Sequence, residues 1–264
     1  MPNRCSTSFT VRGPEKEVQD FYDNVLRTKD EDGLPTHNIK ILEAYVPTPQ
    51  ALRDTTATTA MREIPESWQK MVDEGTWTQE DYDKRVADNN ELLKRQEEND
   101  AKYGAKDWYD WQLKNWGVKW GDCDTGFDGT PVPYGHDDLW LVAGYFQTPW
   151  GTATKGWMEV SKKFPNCIFI FDSDEEAGFF AGIEMIHDGD VVFEDYYEPC
   201  EYPEEVDWDD DDQVEAYDEW KATNMDKICD SSLEYLRNRN WLPQPIMPNK
   251  PKVSKPTGKA HVWK

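Results

Sequence analysis

The sequence has few basic residues for its length, and this shortage limits the partners that we expect. Its 264 residues include 29 Lys and Arg but 53 Asp and Glu, which gives a formal net charge of −24. Proteins that bind duplex DNA neutralise its phosphates with clustered Lys and Arg. We therefore expect no direct nucleic-acid contact. The charge instead favours a partner with a basic surface, such as a surface that another protein uses to hold DNA or RNA.

Long apolar runs are also missing. No stretch approaches the ~18 apolar residues that a membrane span requires, and the first residues, MPNRCSTSFTV, contain no apolar segment of the kind found in a secretory signal. These absences predict a cytoplasmic protein without a membrane partner.

Cysteine and histidine are scarce, and their spacing does not predict a metal site. The five cysteines and four histidines form no CxxC, HExxH or HxH pattern. We expect free, mostly buried thiols, no metal and no cofactor. Segment 121–131, GDCDTGFDGTP, departs from the calcium-loop pattern at Gly126 and Phe127, so we predict a loop there. The histidine–carboxylate pairs at 135–138 and 187–190 fit turns better than acid/base or metal sites.

Common catalytic signatures are absent as well. The sequence contains no GxSxG, P-loop, GxGxxG or kinase-type motif, and no cysteine has the local signature of a nucleophile. We assign no catalytic residue. The sequence favours a non-catalytic protein without excluding an enzyme.

Aromatic residues, by contrast, are abundant: the chain has 13 Trp, 12 Tyr and 10 Phe. They are densest at 106–121, KDWYDWQLKNWGVKWG, where helical spacing puts one stripe towards the core. The stripe contains Tyr109, Leu113 and Trp116. Trp108 and Trp111 lie on its flank and are the candidate ligand contacts, and Gly117 is a suitable helix stop.

Two β-α-β units are predicted on either side of a helical insertion. The first has a strand at 4–11, a helix from Pro14, and a second strand at 38–49 closed by prolines. The insertion covers about 50–120. Its longest helix is predicted to begin after Thr78, to be capped by that residue, and to be largely exposed.

The second unit follows the same order and adds a hairpin. Its strand at 137–149 precedes a helix with Trp157 facing inward, and the next strand is at 166–174. Two further strands are joined at Asp188-Gly189, a pair that favours a tight turn. This order predicts an α+β, ferredoxin-like split β-α-β sandwich, in which two helices cover one face of an antiparallel sheet.

The order of these motifs resembles a family of phage and plasmid proteins with YubB-type, ferredoxin-like domains. The similar segments are NRCSTSFTVRGP, PTPQALRDT, DWYDWQLKNWGVKWG, FQTPWG, SKKFPNCIFIF and DEEAGFFAG. These segments extend over roughly residues 3–185, and the resemblance implies a ferredoxin-like fold and an origin in a mobile element, so the protein would act in the cytoplasm of a host cell. We place the ferredoxin-like domain at 1–193. The resemblance implies no activity, because the family has no established one.

An acidic segment lies beyond this domain. In 194–219, 14 of 26 residues are Asp or Glu and none is Lys or Arg. We predict an acidic, helical extension over 194–242 that either binds a basic partner or is simply solvated. The candidate partner-binding residues are Trp208, Asp209, Asp210, Asp211, Asp212, Glu215, Asp218 and Trp220.

A basic, proline-rich tail over 243–264 ends the chain. We predict that it is flexible, or that its lysines contact the acidic extension of the same or a neighbouring subunit, the second case giving a homo-oligomer.

These observations predict a non-catalytic binding protein, carried by a phage or plasmid, that inhibits a host protein. The charge favours a defence or nucleic-acid-processing target that is bound by DNA mimicry. The alternative is an enzyme, or a protein that binds a nucleotide or another small ligand, with a pocket between the sheet and the Trp-rich insertion.

Overall fold

The computed structural model describes residues 3–26, 39–135, 138–202 and 205–242. They form a mixed α+β structure with one open antiparallel sheet, which confirms the coarse fold class. The strands are β1 (Arg4–Pro14), β2 (Cys123–Phe127), β3 (Val132–Pro133), β4 (Leu139–Pro149), β5 (Ile168–Glu175), β6 (Ala181–His187) and β7 (Asp190–Tyr197). Their order is β2-β4-β1-β5-β6-β7, and β3 also pairs with β4.

Eight α-helices occur in the described residues, together with a short 3-10 helix at Pro199–Glu201. The α-helices are α1 (Glu15–Leu26), α2 (Ile41–Tyr45), α3 (Gln50–Arg53), α4 (Glu66–Asp73), α5 (Gln79–Tyr103), α6 (Trp108–Asn115), α7 (Thr154–Ser161) and α8 (Asp211–Asn238). None of the helices in the described ranges is long and apolar enough to cross a membrane.

The predicted first strand and helix are confirmed, but β1 is longer than expected. It continues through Gly13 to Pro14, which lies opposite Leu139 of β4. Gly13 does not end the strand. A Cβ atom there would lie 2.5 Å from the Cys167 sulfur, so glycine allows a close approach between β1 and the chain before β5.

The predicted strand at 38–49 is wrong. Ile39 makes one isolated bridge, and the chain then turns into α2. The Asp122 carboxylate accepts hydrogen bonds from the amides of Ile41 and Leu42 at 2.7 and 2.9 Å, and these two side chains are fully buried. A distant carboxylate therefore satisfies free N–H groups at the helix start, which favours a helix there.

The strand that follows the insertion is β2, in the segment that we expected to be a loop. It pairs with β4, and Gly126 lies opposite Tyr145. A Cβ atom on Gly126 would lie 2.6 Å from the Tyr145 ring. Segment 121–131 is therefore partly an edge strand, and the prediction of a loop is wrong for residues 123–127.

The predictions for the long insertion helix are confirmed. Thr78 caps α5 by accepting a hydrogen bond from the Asp81 amide, and the Asp81 side chain completes a capping box. The helix ends at Gly104, whose φ of 69° is in the left-handed region. Most of its side chains are exposed.

The second unit follows the predicted order of strand, helix, strand and hairpin. Trp157 of α7 is fully buried. Asp188 and Gly189 have φ values of 46° and 86°, which suit the tight turn between β6 and β7. Residue 193, the predicted domain boundary, lies within β7.

Two hydrophobic clusters lie on opposite faces of the sheet. The larger cluster packs α1 and α7 on one face and includes Phe9, Phe146 and Trp157. The smaller cluster packs Ile228 and Leu236 of α8 against β5 and β6 on the other face. The predicted acidic extension therefore contributes a sheet-covering helix.

The five cysteines are free, but fewer are buried than we expected. Cys5 and Cys167 are buried, Cys123 and Cys229 are half-buried, and Cys200 is exposed. The predicted tail, 243–264, lies outside the described residues.

Candidate functional site

Five aromatic rings contact one another around the start of α8, and we call them the acid-rimmed aromatic cluster. They are Tyr197, Tyr202, Trp208, Tyr217 and Trp220. Tyr217 is central, because its ring centroid lies 5.2 Å from that of Tyr202 and 5.5 Å from that of Trp208. Trp220 connects the cluster to the sheet through Tyr197 of β7, at 5.7 Å.

A turn before α8 positions Trp208. The Asp210 amide donates to the carbonyl of Asp207, and the Asp210 carboxylate then accepts from the amides of Asp212 and Gln213 at 3.1 and 3.4 Å. Asp210 is thus the N-cap of α8. The turn leaves the Trp208 side chain 68% exposed although its ring contacts Tyr217.

The predicted acidic residues lie in the same stretch of chain as Trp208, Tyr217 and Trp220. Five of them are exposed: Asp209, Asp211, Asp212, Glu215 and Asp218. Asp210 is half-buried and has the capping role. The Lys221 ammonium lies 5.6 Å from the Tyr217 ring centroid and 3.9 Å from Asp174.

Sequence reasoning found part of this cluster. It assigned Trp208 and Trp220, which both contact Tyr217. It missed Tyr197 and Tyr202, because β7 and the chain after it bring those rings to α8 through the fold. A weak signal was present, since both tyrosines occur among acids in the same segment.

The two candidate ligand tryptophans have different surroundings. The Trp111 ring packs edge-on against Trp116 at 5.7 Å, and Trp116 belongs to the core, as predicted. The Trp108 ring contacts Tyr109 at 5.9 Å. Both tryptophans are half-buried, and neither lines the cavity described next.

A cavity of about 420 Å³ lies between the end of the insertion, the start of α7 and strands β6 and β7. Gly117 and Val118 contribute the insertion side, whereas Glu184 and Glu194 contribute the sheet side. The cavity lies beside the end of the Trp-rich insertion. The residues that follow the tryptophans line it, instead of Trp108 and Trp111.

Glu184 is the most deeply buried acid in this cavity, with 3% of its surface exposed. The Thr154 hydroxyl donates to its carboxylate, with oxygen–oxygen distances of 2.9 and 3.2 Å. The pKa of Glu184 is raised to about 7: burial has the largest effect, the Thr154 hydrogen bond opposes it, and the negative charge of Glu194 adds a smaller increase. Glu184 can therefore gain or lose a proton near neutral pH.

Further hydroxyl groups lie beside the hydrogen bond between Thr154 and Glu184. The Thr152 and Thr154 hydroxyls lie 2.8 Å apart, and Tyr196 lines the same cavity. Burial raises the pKa of Tyr196, so its hydroxyl keeps its proton. Gly182 makes room for this ring, since a Cβ atom there would lie 2.6 Å from a Tyr196 ring carbon.

The loop at the rim of the cavity has an uncommon backbone. Trp150 and Ala153 have φ values of 65° and 60°, a region that residues with a Cβ atom rarely adopt. Trp150 is 48% exposed, and the Lys119 ammonium lies 5.6 Å from its ring centroid. Such conformations occur often at binding and catalytic sites.

A metal centre is not formed by the described residues, in which no three His, Cys, Asp or Glu side chains come together as ligands. Asp122 is the buried acid of segment 121–131. It caps α2 and accepts a hydrogen bond from the Thr125 hydroxyl at 2.9 Å. Its carboxylate has a role in the fold.

Comparisons with known proteins do not assign a family. No family model matches the chain, and no curated protein matches it. Among solved structures, it is similar to the crystal structure of the protein api92 from Yersinia pseudotuberculosis, which is described with the family model DUF1281. The identity is 12%, the match covers 75% of this chain and 98% of that chain, and the TM-score is 0.33. Similarity at this level supports no inference about fold or function.

Proposed function

We propose that this protein binds the basic surface of a partner protein through the acid-rimmed aromatic cluster. One observation carries the proposal: the 68% exposed Trp208 packs on Tyr217 and is flanked along the chain by residues with exposed carboxylates. Aromatic anchors within a polar rim are typical of the residues that dominate protein interfaces.

The rings and the acids would contribute in different ways. Exposed carboxylates act mainly on the rate of encounter with a basic partner, and salt screens this effect. The Trp208 ring is held by Tyr217, so little side-chain freedom is lost when a partner covers it. We expect the acids to set the association rate and the ring to slow dissociation.

We also propose a ferredoxin-like arrangement for four strands of the sheet, which are β1, β2, β4 and β5. The order β2-β4-β1-β5 supports it, with α1 following β1 and α7 following β4 on one face. Strands β6 and β7 and helix α8 then extend it. The motif resemblance also predicts an origin in a phage or plasmid and a target in the host cytoplasm. Both remain predictions.

The test compares the native protein with three variants, first as baits in a bacterial lysate and then with the purified partner. One variant neutralises Asp209, Asp211, Asp212 and Glu215 to Asn or Gln but keeps the Asp210 cap. A second is Trp208→Ala. The matched control neutralises four exposed acids of α5: Glu80, Asp83, Asp88 and Glu98.

Association kinetics then separate the roles at about 50 and about 300 mM NaCl. We expect the acidic variant to associate about tenfold more slowly at low salt and to lose most of the salt dependence. Trp208→Ala should weaken binding by about 2 kcal/mol, mainly through faster dissociation. The α5 control should behave as the native protein. Equal kinetics for the native and acidic-variant proteins would contradict the proposal.

A further measurement with the same purified partner tests the hypothesis that the protein mimics nucleic acid. If the cluster imitates nucleic acid, duplex DNA or RNA should compete for the partner, with half-displacement at a concentration set by the partner's own nucleic-acid affinity. Simultaneous binding of nucleic acid and this protein would exclude mimicry and leave the proposed protein contact intact.

A further inference from the structure

The cavity beside Glu184 is lined by two glutamates that occupy opposite positions on neighbouring strands. Glu184 of β6 pairs in register with Glu194 of β7, and both line the cavity. Opposed like charges in a sheet are destabilising. Burial of Glu184 increases this cost, because few water molecules screen the charge.

We propose that this cavity binds an organic cation, as an alkylammonium or alkylguanidinium group held between Glu184 and Glu194. A positive group between the two carboxylates would replace repulsion by attraction. Guanidinium and ammonium groups also donate the hydrogen bonds that carboxylate oxygens accept.

The size and walls of the cavity suit such a ligand. Its volume of about 420 Å³ falls within the usual range for small-molecule sites. The rings of Phe180 and Tyr196 pack edge to face at 5.5 Å and both line the cavity. They offer an apolar wall for an alkyl chain and an aromatic face for the cation.

The charged groups that face Glu184 favour a cation over an anion. Strand β7 contributes Glu194 and the Tyr196 hydroxyl, helix α7 contributes Lys155 and the Thr154 hydroxyl, and both helix groups line the cavity. Two carboxylates therefore oppose one ammonium group. Lys155 is exposed, so water screens its charge more than that of the buried Glu184.

Binding should depend on pH, because the cation needs the ionised form of Glu184. Burial raises the pKa of this carboxyl to about 7. At pH 6 the proton competes with the ligand, whereas at pH 8 it is mostly absent. Affinity should increase about tenfold from pH 6 to pH 8.

The experiment titrates the full chain with n-butylguanidine and n-butylamine, which stay charged across this range, and follows binding by calorimetry and amide NMR. The neutral n-butylurea is the matched ligand control. Glu184→Gln and Glu194→Gln remove one carboxylate each. Glu198→Gln changes an exposed acid just beyond β7 that does not line the cavity.

We expect at least one cation to bind and to shift the amide signals of Thr154 and Lys155, with butylurea inactive. Glu184→Gln should weaken binding at pH 8 about tenfold or more and abolish the pH dependence, Glu194→Gln should weaken it, and Glu198→Gln should not. Absence of binding by both cations would overturn the proposal, as would a Glu184→Gln affinity equal to that of the native protein at both pH values.

A second arm distinguishes the source of the cation. The blocked peptide acetyl-Ala-Arg-Ala-amide presents the same guanidinium as a protein side chain. Binding of the peptide points to an arginine of a partner, whereas binding of butylguanidine alone points to a free small molecule. The site faces the core side of the sheet, opposite α8, so it can be tested independently of the acid-rimmed aromatic cluster.

Discussion

Individual carboxylates in this acidic chain have different physical roles, which the composition does not distinguish. Asp122 and Asp210 accept hydrogen bonds from backbone amides at helix starts. The Glu175 carboxylate accepts from the amides of Ala177 and Phe179 in the turn before β6. Glu184 instead has a hydroxyl partner and a cavity. Substitutions of these acids should therefore have unequal effects.

Glu184 should make stability decrease with pH. Its pKa is raised from 4.5 to about 7 in the folded state, so the folded protein holds this proton more tightly than the unfolded chain does. The resulting stabilisation is fully present below about pH 4.5 and is lost as the pH rises through 7. The shift corresponds to about 3 kcal/mol.

Glu184→Gln removes the titrating group and keeps the side-chain shape. We expect the variant to be more stable than the native protein at pH 8 and to differ much less at pH 5, as measured by urea unfolding at both pH values. Glu198→Gln serves as the exposed control. Parallel stability–pH curves for the native protein and Glu184→Gln would contradict the raised pKa.

Asp210 and Asp209 are adjacent acids whose loss should have different effects. Asp210 caps α8, whereas the Asp209 side chain is exposed. We expect Asp210→Ala to lower the free energy of unfolding by about 1 kcal/mol, because two amides lose their acceptor. Asp209→Ala should change it by less than about 0.5 kcal/mol. Urea unfolding of both variants tests the difference, and equal losses would argue against the cap.

At the scale of the element, sequence reasoning succeeded where the signal was local. Thr78 and Asp81 are three residues apart and define the start of α5, and Asp188-Gly189 defines the hairpin turn. It failed for α2 and β2, which depend on distant contacts. The Asp122 carboxylate that caps α2 is about eighty residues further along the chain. Neighbouring residues carry no signal of that contact.

Helix α8 shows how an acidic helix can still be part of the fold. Ile228, Ser232 and Leu236 are buried at a spacing of four residues, which puts them on one helical stripe. This stripe packs on the face of the sheet opposite α1 and α7. The remaining surface of the helix is free to carry its acids.

Leu236→Ala should therefore destabilise the protein. Leu236 is 3% exposed, and loss of a buried leucine side chain costs about 2–4 kcal/mol. Leu26→Ala is the matched control, because Leu26 is 44% exposed, and we expect a change below about 0.5 kcal/mol. Thermal and urea unfolding measure both variants. Similar effects for the two would show that α8 adds little to the stability of the sheet.

At the scale of the whole molecule, the two candidate sites differed in how far the sequence predicted them. The sequence predicted Trp208 and the acids near it, because these residues are close together in the chain. None of the residues that line the cavity was among the predicted site residues. Its carboxylates meet through the β6–β7 register, and Thr154 reaches Glu184 across thirty residues. Only the assembled sheet brings those groups together.

The net charge of −24 should make the stability of the whole protein depend on salt. Self-repulsion opposes the compact state, and added salt screens it. The ion pairs that salt would weaken, such as Arg4–Asp124 and Lys16–Asp20, join mostly exposed side chains and contribute little. Relief of repulsion should therefore outweigh their loss. Unfolding should become less favourable as NaCl is added.

We expect the melting temperature to rise by at least about 2–4 °C between about 20 and about 500 mM NaCl, which corresponds to about 1 kcal/mol for a chain of this size. The variant with Asp209, Asp211, Asp212 and Glu215 neutralised has four fewer negative charges in one region, so its rise should be smaller. Differential scanning calorimetry of both proteins measures the two slopes. A melting temperature that falls with NaCl would show that exposed ion pairs dominate, and equal slopes would show that repulsion is not concentrated around the acid-rimmed aromatic cluster.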